Sequence, residues 1–272
     1  MSVIAMLSAK ASPGVSTTVA ALATQWPSPV LVVDADPQGG YLLAGWAGPW
    51  WVDGSLTSQR SVVSFATATR HLDAVPAGSL AGHVQPLPDL EHVRFLAGVR
   101  THSQAEAVGT AWRRLAHAVR DVSDDGEPDV LIDLGRYAAD STPWALVEQA
   151  DLVLLALRPT LRHLRASLPL AETLTTQLAH EQVGAAVLAA DAHRASSISH
   201  TLDLPPRMRL PDDPGTARFF SDGLLQRPRR QPLLGAARQT AHQLHTEAHP
   251  DQPPARDAGA SAAFTAGTGP TA

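Results

Sequence analysis

Lys10 is the only lysine in the chain; the other 20 of its 21 basic residues are arginine. It stands in Ser8-Ala9-Lys10-Ala11-Ser12-Pro13-Gly14-Val15-Ser16-Thr17-Thr18, directly after the apolar run Val3–Leu7. A guanidinium is a wide planar fork, whereas an ammonium is a point charge that enters a narrow phosphate cradle. Gly14 lets the backbone approach an anion closely, and the unpaired N–H groups where Ser16-Thr17-Thr18 opens a helix attract one. Ser16 also offers a hydroxyl to Mg2+. Measured against the phosphate-loop pattern G-x-x-x-x-G-K-[ST], only Gly14 and Ser16 match; Ala9 stands at the first glycine and Val15 at the lysine. A second segment, Val30–Gly40, is an apolar run ending in Asp34 and Asp36, which share one side of the chain while it stays extended. A third, Pro128–Gly135, is an apolar run ending in Asp133. Carboxylates beside a phosphate loop suit a hydrated Mg2+ and an attacking water. Taken singly, the three segments read equally as a capped turn, an Asx turn and an ordinary strand end. In this order they point to a nucleoside triphosphate.

Such residues need a scaffold that delivers them to one edge. Short apolar runs at Val3–Leu7, Val30–Val33, Val93–Ala97, Val130–Leu134, Leu152–Leu157 and Val183–Ala189, with a weaker one at Met208–Leu210, have the character of strands buried on both faces. Helical patterns fall between them, over Ser16–Gln25, Thr57–Leu72, Thr101–Val122, Ser141–Gln149, Thr160–Ala179 and Thr216–Leu225. The first stops at Trp26-Pro27, and Ser141-Thr142-Pro143 reads as a cap followed by proline in the first turn. Alternation of strand and helix predicts an α/β fold: a doubly wound, mostly parallel sheet flanked by helices, whose ligands bind beyond the carboxyl ends of the strands. Gly45–Gly54, with Trp46, Trp50 and Trp51, reads as an aromatic loop, for packing or for a partner.

The 272 residues, 44% hydrophobic and 17% charged, suffice for one large domain with a substantial core. A domain over residues 1–246 and a disordered Pro/Ala/Gly/Thr-rich tail over 247–272 are expected. A net charge of −5 argues against a generic polyanion binder. Without cysteine, disulfides, thiol catalysis and Cys-based zinc sites are excluded. The N-terminal apolar run has no basic flank and breaks at Ser8 and Lys10, so it reads as a strand and not a signal peptide, with a soluble cytoplasmic protein expected.

With the three segments in view, the chain resembles the ParA/MinD superfamily of deviant-Walker P-loop ATPases, over roughly residues 1–245. Lys10 falls on that family's signature lysine, Asp34-Ala35-Asp36-Pro37-Gln38-Gly39 on its second motif, and Asp133 on its third. Ala150–Ala156 resembles the following strand, and Leu210-Pro211-Asp212-Asp213-Pro214 the late loop near the base. Gly135-Arg136, Leu157-Arg158-Pro159-Thr160 and the Arg- and Ala-rich composition resemble an actinobacterial ParA-like branch. The resemblance implies a P-loop NTPase fold, ATP (or another NTP) with Mg2+, and a nucleotide-linked homodimer or a heterodimer with a related ATPase. It further implies positioning of DNA or another cargo, as in chromosome or plasmid partitioning. Lys10 would reach the phosphates across the dimer, Thr17 would contact the α-phosphate, and Pro13, Gly14 and Val15 would line the loop. Ser16, Asp34 and Asp133 would hold the hydrated metal, and Asp36 would position the hydrolytic water. Asp191, Pro211 and Asp212 would lie near the base.

Departures from the family pattern set the expected chemistry. Ala11 and Ser12 replace glycines, and Val15 replaces the lysine on the β- and γ-phosphates. Losing a charged hydrogen bond costs about 1.5–3 kcal/mol, or about ten- to 150-fold in affinity. Slow hydrolysis is therefore expected; Arg136 and Arg158, each just past a strand end, either compensate at the phosphates or pair with surface acids or the dimer partner. The alternative is an inactive pseudo-ATPase serving as a scaffold or heterodimer half; a ligase on a related fold is a weaker third reading. Arg227, Arg229 and Arg230 offer DNA phosphates a non-specific contact or form a solubilising turn. Leu233–Leu244 is too weakly amphipathic for a membrane anchor. His242, His245 and His249 share a helical face, and with no carboxylate partner in view are expected to be solvated.

Overall fold

A computed structural model describes residues 2–10, 12–124, 128–223 and 230–250. Its eight strands are β1 (Val3–Ser8), β2 (Val30–Asp34), β3 (Gln85–Leu87), β4 (Leu90–Leu96), β5 (Asp129–Arg136), β6 (Leu152–Leu157), β7 (Val183–Leu188) and β8 (Pro206–Leu210). They form one sheet in the order β3-β4-β2-β5-β1-β6-β7-β8, parallel throughout except for the β3–β4 hairpin at the edge. Side chains alternate across each strand, so the central strands divide their apolar residues between two cores. Val3, Ala5, Leu7, Leu31 and Val33 face one layer of helices, and Ile4, Met6, Val30 and Val32 the other. Covering both faces is what makes these strands continuously apolar.

The second layer consists of α1 (Val15–Thr24), α2 (Gly48–Val52), α9 (Pro214–Ser221) and α10 (Pro232–Ala248). The first consists of α3 (Val62–Thr69), α4 (His102–Val108), α5 (Ala111–Asp124), α6 (Trp144–Glu148), α7 (Leu161–Gln177) and α8 (Ala192–Leu202). From β1 the chain crosses to β2 on one side, and from β5 it crosses to β6 on the other. The direction of winding therefore reverses between β5 and β1, which opens a crevice at their carboxyl ends.

Several local expectations are corrected. The single helix expected over Thr101–Val122 is two, because Gly109 takes φ 51° at the end of α4, a conformation that helices do not continue through. The Thr57–Leu72 pattern yields only α3, since Ser61 and Ser64 cap each other's backbone while Gln85 holds Thr57 through both amide atoms. Pro143 is itself the residue before α6, and Thr142 Oγ1 accepts from the Ala138 N–H instead of capping the helix. The aromatic loop contains α2, with Trp46 and Trp50 buried in the core while Trp51 and Val52 stay exposed beside a cleft of about 630 Å³. Helix α8 and strand β3, with no clear pattern in the sequence, are both formed. The end of α9 falls at Ser221, and Leu224 and Leu225, assigned to it by pattern, lie outside the described residues. So do Arg227, Arg229 and tail residues 251–272, whereas α10 continues past the expected boundary at residue 246. Leu233, Leu234, Ala237, Ala241 and Leu244 of α10 are spent on the core. Among the described residues no helix is long and apolar enough to cross a membrane.

Candidate functional site

β1 runs into the loop that carries Lys10, and α1 begins at Val15 after Gly14, whose φ of 120° is rarely adopted by residues with a side chain. Among the described residues no side chain caps α1, so the N–H groups of its first turn remain available to an anion at the positive end of the helix. Ser16 and Thr17 are half-buried in that turn. Lys10 is exposed and forms no ion pair among the described residues. Pro13 is buried, and its carbonyl oxygen accepts from Arg158 Nε at 3.2 Å, which ties the loop to the end of β6.

Val15 turns inward. It is 5% exposed and packs with Ile4, Met6 and Val19 in the α1-side core. At this first helical position the side chain lies on the sheet-facing stripe of α1, where a valine is stabilised and a lysine's charge would need the anion it normally serves. The loop is therefore neither plugged by Val15 nor supplied by it with a cation.

Parallel pairing of β2 and β5 sets Asp34 directly beside Asp133. Both carboxylates are fully buried. Asp133 Oδ1 accepts from the Gly135 N–H at 2.8 Å, but Oδ2 and both oxygens of Asp34 make no hydrogen bond of normal length and angle among the described residues. Burial pushes the Asp34 carboxyl well above the usual carboxylate range, and the charges of Asp133 and Asp36 push the same way, against the weaker pull of the Asp36 and Leu42 N–H groups. Burial likewise raises Asp133 to about 6, against the pull of the nearby Ser16 hydroxyl and the Gly135 N–H. Asp36, half-buried, is raised by burial and held back by the Gln38 N–H and the charge of Arg136. So Arg136 stands against Asp36, and Arg158 against the loop carbonyl.

Three glycines make this crowding of acids achievable. A Cβ on Gly40 would sit 2.1 Å from Asp34 Oδ2, and one on Gly98 2.7 Å from Asp34 Cγ. At Gly135, whose φ is 59°, it would sit 2.1 Å from Asp36 Cγ. Gly98 carried no signal in the sequence, because a lone glycine after a strand is commonplace.

Buried carboxylates without partners are costly unless a cation satisfies them. Three orphaned oxygens, acid donors only, and a neighbouring serine hydroxyl fit a hard, hydrated divalent cation such as Mg2+. When bound, that ion would neutralise both the acids and the phosphate oxygens. Asp34, Asp133 and Ser16 would hold it.

The residues assigned to the base lie elsewhere along the same edge. Asp191 is exposed and caps α8, accepting from the Arg194 N–H at 2.8 Å, which with the Arg194 charge keeps its carboxyl below the usual range. Pro211 is half-buried and Asp212 exposed after β8. Their neighbour Asp213 was not singled out from sequence. It caps α9 through Thr216 and accepts from the Leu233 N–H at the start of α10. The expectation of solvated histidines fails for two of three: His245 and His249 are buried against Asp129.

No protein-family model and no curated protein matches the sequence. Solved structures do match in fold. A ParA family ATPase from Chlorobium tepidum superposes with a TM-score of 0.66 at 18% identity, over 88% of this chain and 98% of that one. The septum site-determining protein MinD from Pyrococcus horikoshii, solved with Mg-ADP, gives 0.67 at 18% identity, over 91% and 97%. The cell division ATPase MinD of Pyrococcus furiosus gives 0.68 at 17%, over 90% and 99%. The chain thus has the fold of the ParA/MinD P-loop ATPases: a mostly parallel eight-stranded sheet between helices, with the described acids at its carboxyl edge.

Proposed function

We propose that this protein binds a nucleoside triphosphate, ATP in the first instance, with Mg2+ at the carboxyl ends of β1, β2 and β5. One observation carries the reading: Asp34 and Asp133, fully buried side by side with three oxygens that make no well-formed hydrogen bond among the described residues, beside the start of α1. The first-turn N–H groups at Gly14–Thr17 bind phosphate oxygens. Asp36, on the Gly135 surface beside Arg136, orients water. Lys10, exposed and without an ion pair among the described residues, contributes its ammonium to the phosphates of a second subunit, and the protein dimerises on the nucleotide to position DNA or another cargo. Catalysis in this class is positioning plus charge neutralisation. With Val15 buried in the core, no lysine at that position neutralises the β- and γ-phosphates from the same subunit, so turnover is slow and the bound state long-lived.

The buried Val15 also favours a second reading, an inactive scaffold that binds nucleotide without cleaving it, or none at all. Titrating the full chain with fluorescent ATP and ADP, with and without Mg2+, tests both. The ATPase reading expects Mg2+-dependent binding, slow phosphate release, and dimerisation lost in Lys10→Ala. Binding without phosphate release over many hours identifies the scaffold. No binding at millimolar nucleotide rejects the nucleotide site and leaves the scaffold without nucleotide.

A further inference from the structure

At the opposite edge of the sheet, where β5 begins, Asp129 is 2% exposed and faces two imidazoles from the end of α10. His245 Nδ1 lies 2.9 Å from Asp129 Oδ2, and His249 Nε2 lies 3.3 Å from Oδ1. His249 Nδ1 is fixed by a third contact, 2.8 Å from the His245 carbonyl oxygen. A carbonyl only accepts, so that nitrogen carries a proton, and Nε2 is the ring atom left facing the carboxylate. An imidazole nitrogen and a carboxylate oxygen 3.3 Å apart share a cation, a proton or a metal ion.

The surroundings resemble the outer support of a metal ligand. A ligating histidine commonly donates its other N–H to a backbone carbonyl, and a ligating carboxylate is itself hydrogen-bonded. His249 does the first. Asp129 does the second, accepting from the Ser2 N–H at 2.9 Å on Oδ1 and from Trp26 Nε1 at 2.9 Å on Oδ2. The two rings lie tilted by 33° with centroids 4.2 Å apart, and the three ligand atoms lie within 4.8 Å of one another. Zinc needs its nitrogen and oxygen ligands at about 2.0–2.2 Å, and atoms spaced this way close on it with small side-chain adjustments.

We propose that Asp129, His245 and His249 form a binding site for a divalent transition-metal ion, with Zn2+ the best match to two imidazoles and a carboxylate. The ligands are an Asp129 oxygen, His245 Nδ1 and His249 Nε2. The Ser28 hydroxyl, 3.3 Å from Asp129 Oδ2 and 3.4 Å from His245 Nδ1, stands where it or a water completes the shell. Metal binding takes the place of any proton these side chains share and releases it to solvent. Since the ligands are buried, the ion's role is to clasp α10 to β5 and to the Trp26–Ser28 turn. The magnesium site described above uses different residues at the other end of the strands, so this clasp stands or falls separately from the nucleotide reading.

The test uses the full chain, stripped with a chelator and titrated with Zn2+ against a chromophoric competitor. One ion per chain is expected. His249→Gln and Asp129→Asn should each weaken binding by more than the about 10- to 100-fold that loss of an outer-shell partner costs. Trp26→Phe, which removes only the indole donor, should fall within that range, and His242→Gln should change nothing. If the ligand variants fail to fold, zinc-edge X-ray absorption of the loaded wild type decides: two imidazoles in the first shell support the site. Absence of stoichiometric uptake, a first shell with fewer than two imidazoles, or equal loss in His242→Gln and His249→Gln overturns it. In the first case a proton alone fills the gap.

Discussion

Replacing Asp133 by asparagine should stabilise the protein in the absence of metal and nucleotide, an uncommon outcome for a fully buried residue. A carboxylic acid whose pKa is higher in the folded chain binds its proton more tightly when folded. Its favourable contribution is therefore complete below the unfolded value of 3.8 and disappears as the pH rises through about 6. Above that window the folded state holds an ionised carboxylate that burial disfavours. The difference between 3.8 and about 6 corresponds to about 3 kcal/mol, at about 1.36 kcal/mol per pH unit. Asparagine keeps the acceptor for the Gly135 N–H and turns an amide toward the partnerless oxygens of Asp34. For a chain of this size that is a rise of about 6–12 °C in Tm near about pH 8. The assay is calorimetric or fluorimetric melting of wild type and Asp133→Asn in chelator across the acid to neutral range. The advantage should shrink as pH falls and vanish below 3.8. A variant that melts at or below wild type near neutrality, or a difference indifferent to pH, would refute the claim that uncompensated burial governs this pair.

Two further changes probe the site's geometry. Gly135→Ala places a methyl group 2.1 Å from Asp36 Cγ at a φ of 59°, so it should cost about 1–2 kcal/mol in strain and displace Asp36. Nucleotide-dependent changes should weaken while the melting transition stays single, as read by calorimetry and ligand titration. Arg158→Ala removes the donor to the Pro13 carbonyl from an exposed side chain. Global stability should move by no more than about 0.5 kcal/mol, while hydrogen exchange at the Pro13–Ser16 loop accelerates and nucleotide affinity falls. If affinity stays the same in both Arg158→Ala and Arg136→Ala, arginine does not replace the missing lysine.

Much of this protein was legible in the order of its residues. Continuous apolar runs ending in Asp34 and Asp133, interleaved with helical periods, specify a parallel sheet covered on both sides, because only such strands need no polar face. Lys10, Gly14 and Ser16 marked the loop by type and spacing alone. Boundaries were lost where a single residue overrides the pattern, as at Gly109, or where a distant side chain such as Gln85 holds the backbone out of a helix.

What only the tertiary structure decided are the contacts between segments far apart in the chain. Asp34 meets Asp133 because the sheet order inserts β5 between β1 and β2, which no local period encodes. The inward turn of Val15 follows from where α1 lies on the sheet, and the roles of Gly40, Gly98 and Gly135 exist only because carboxylates from other segments press against them. Asp129 looked like the start of a strand and His245 like a surface histidine; 116 residues apart in sequence, they meet at 2.9 Å. Sequence fixes each residue's donors and acceptors, but burial by the fold determines which of them must find one another.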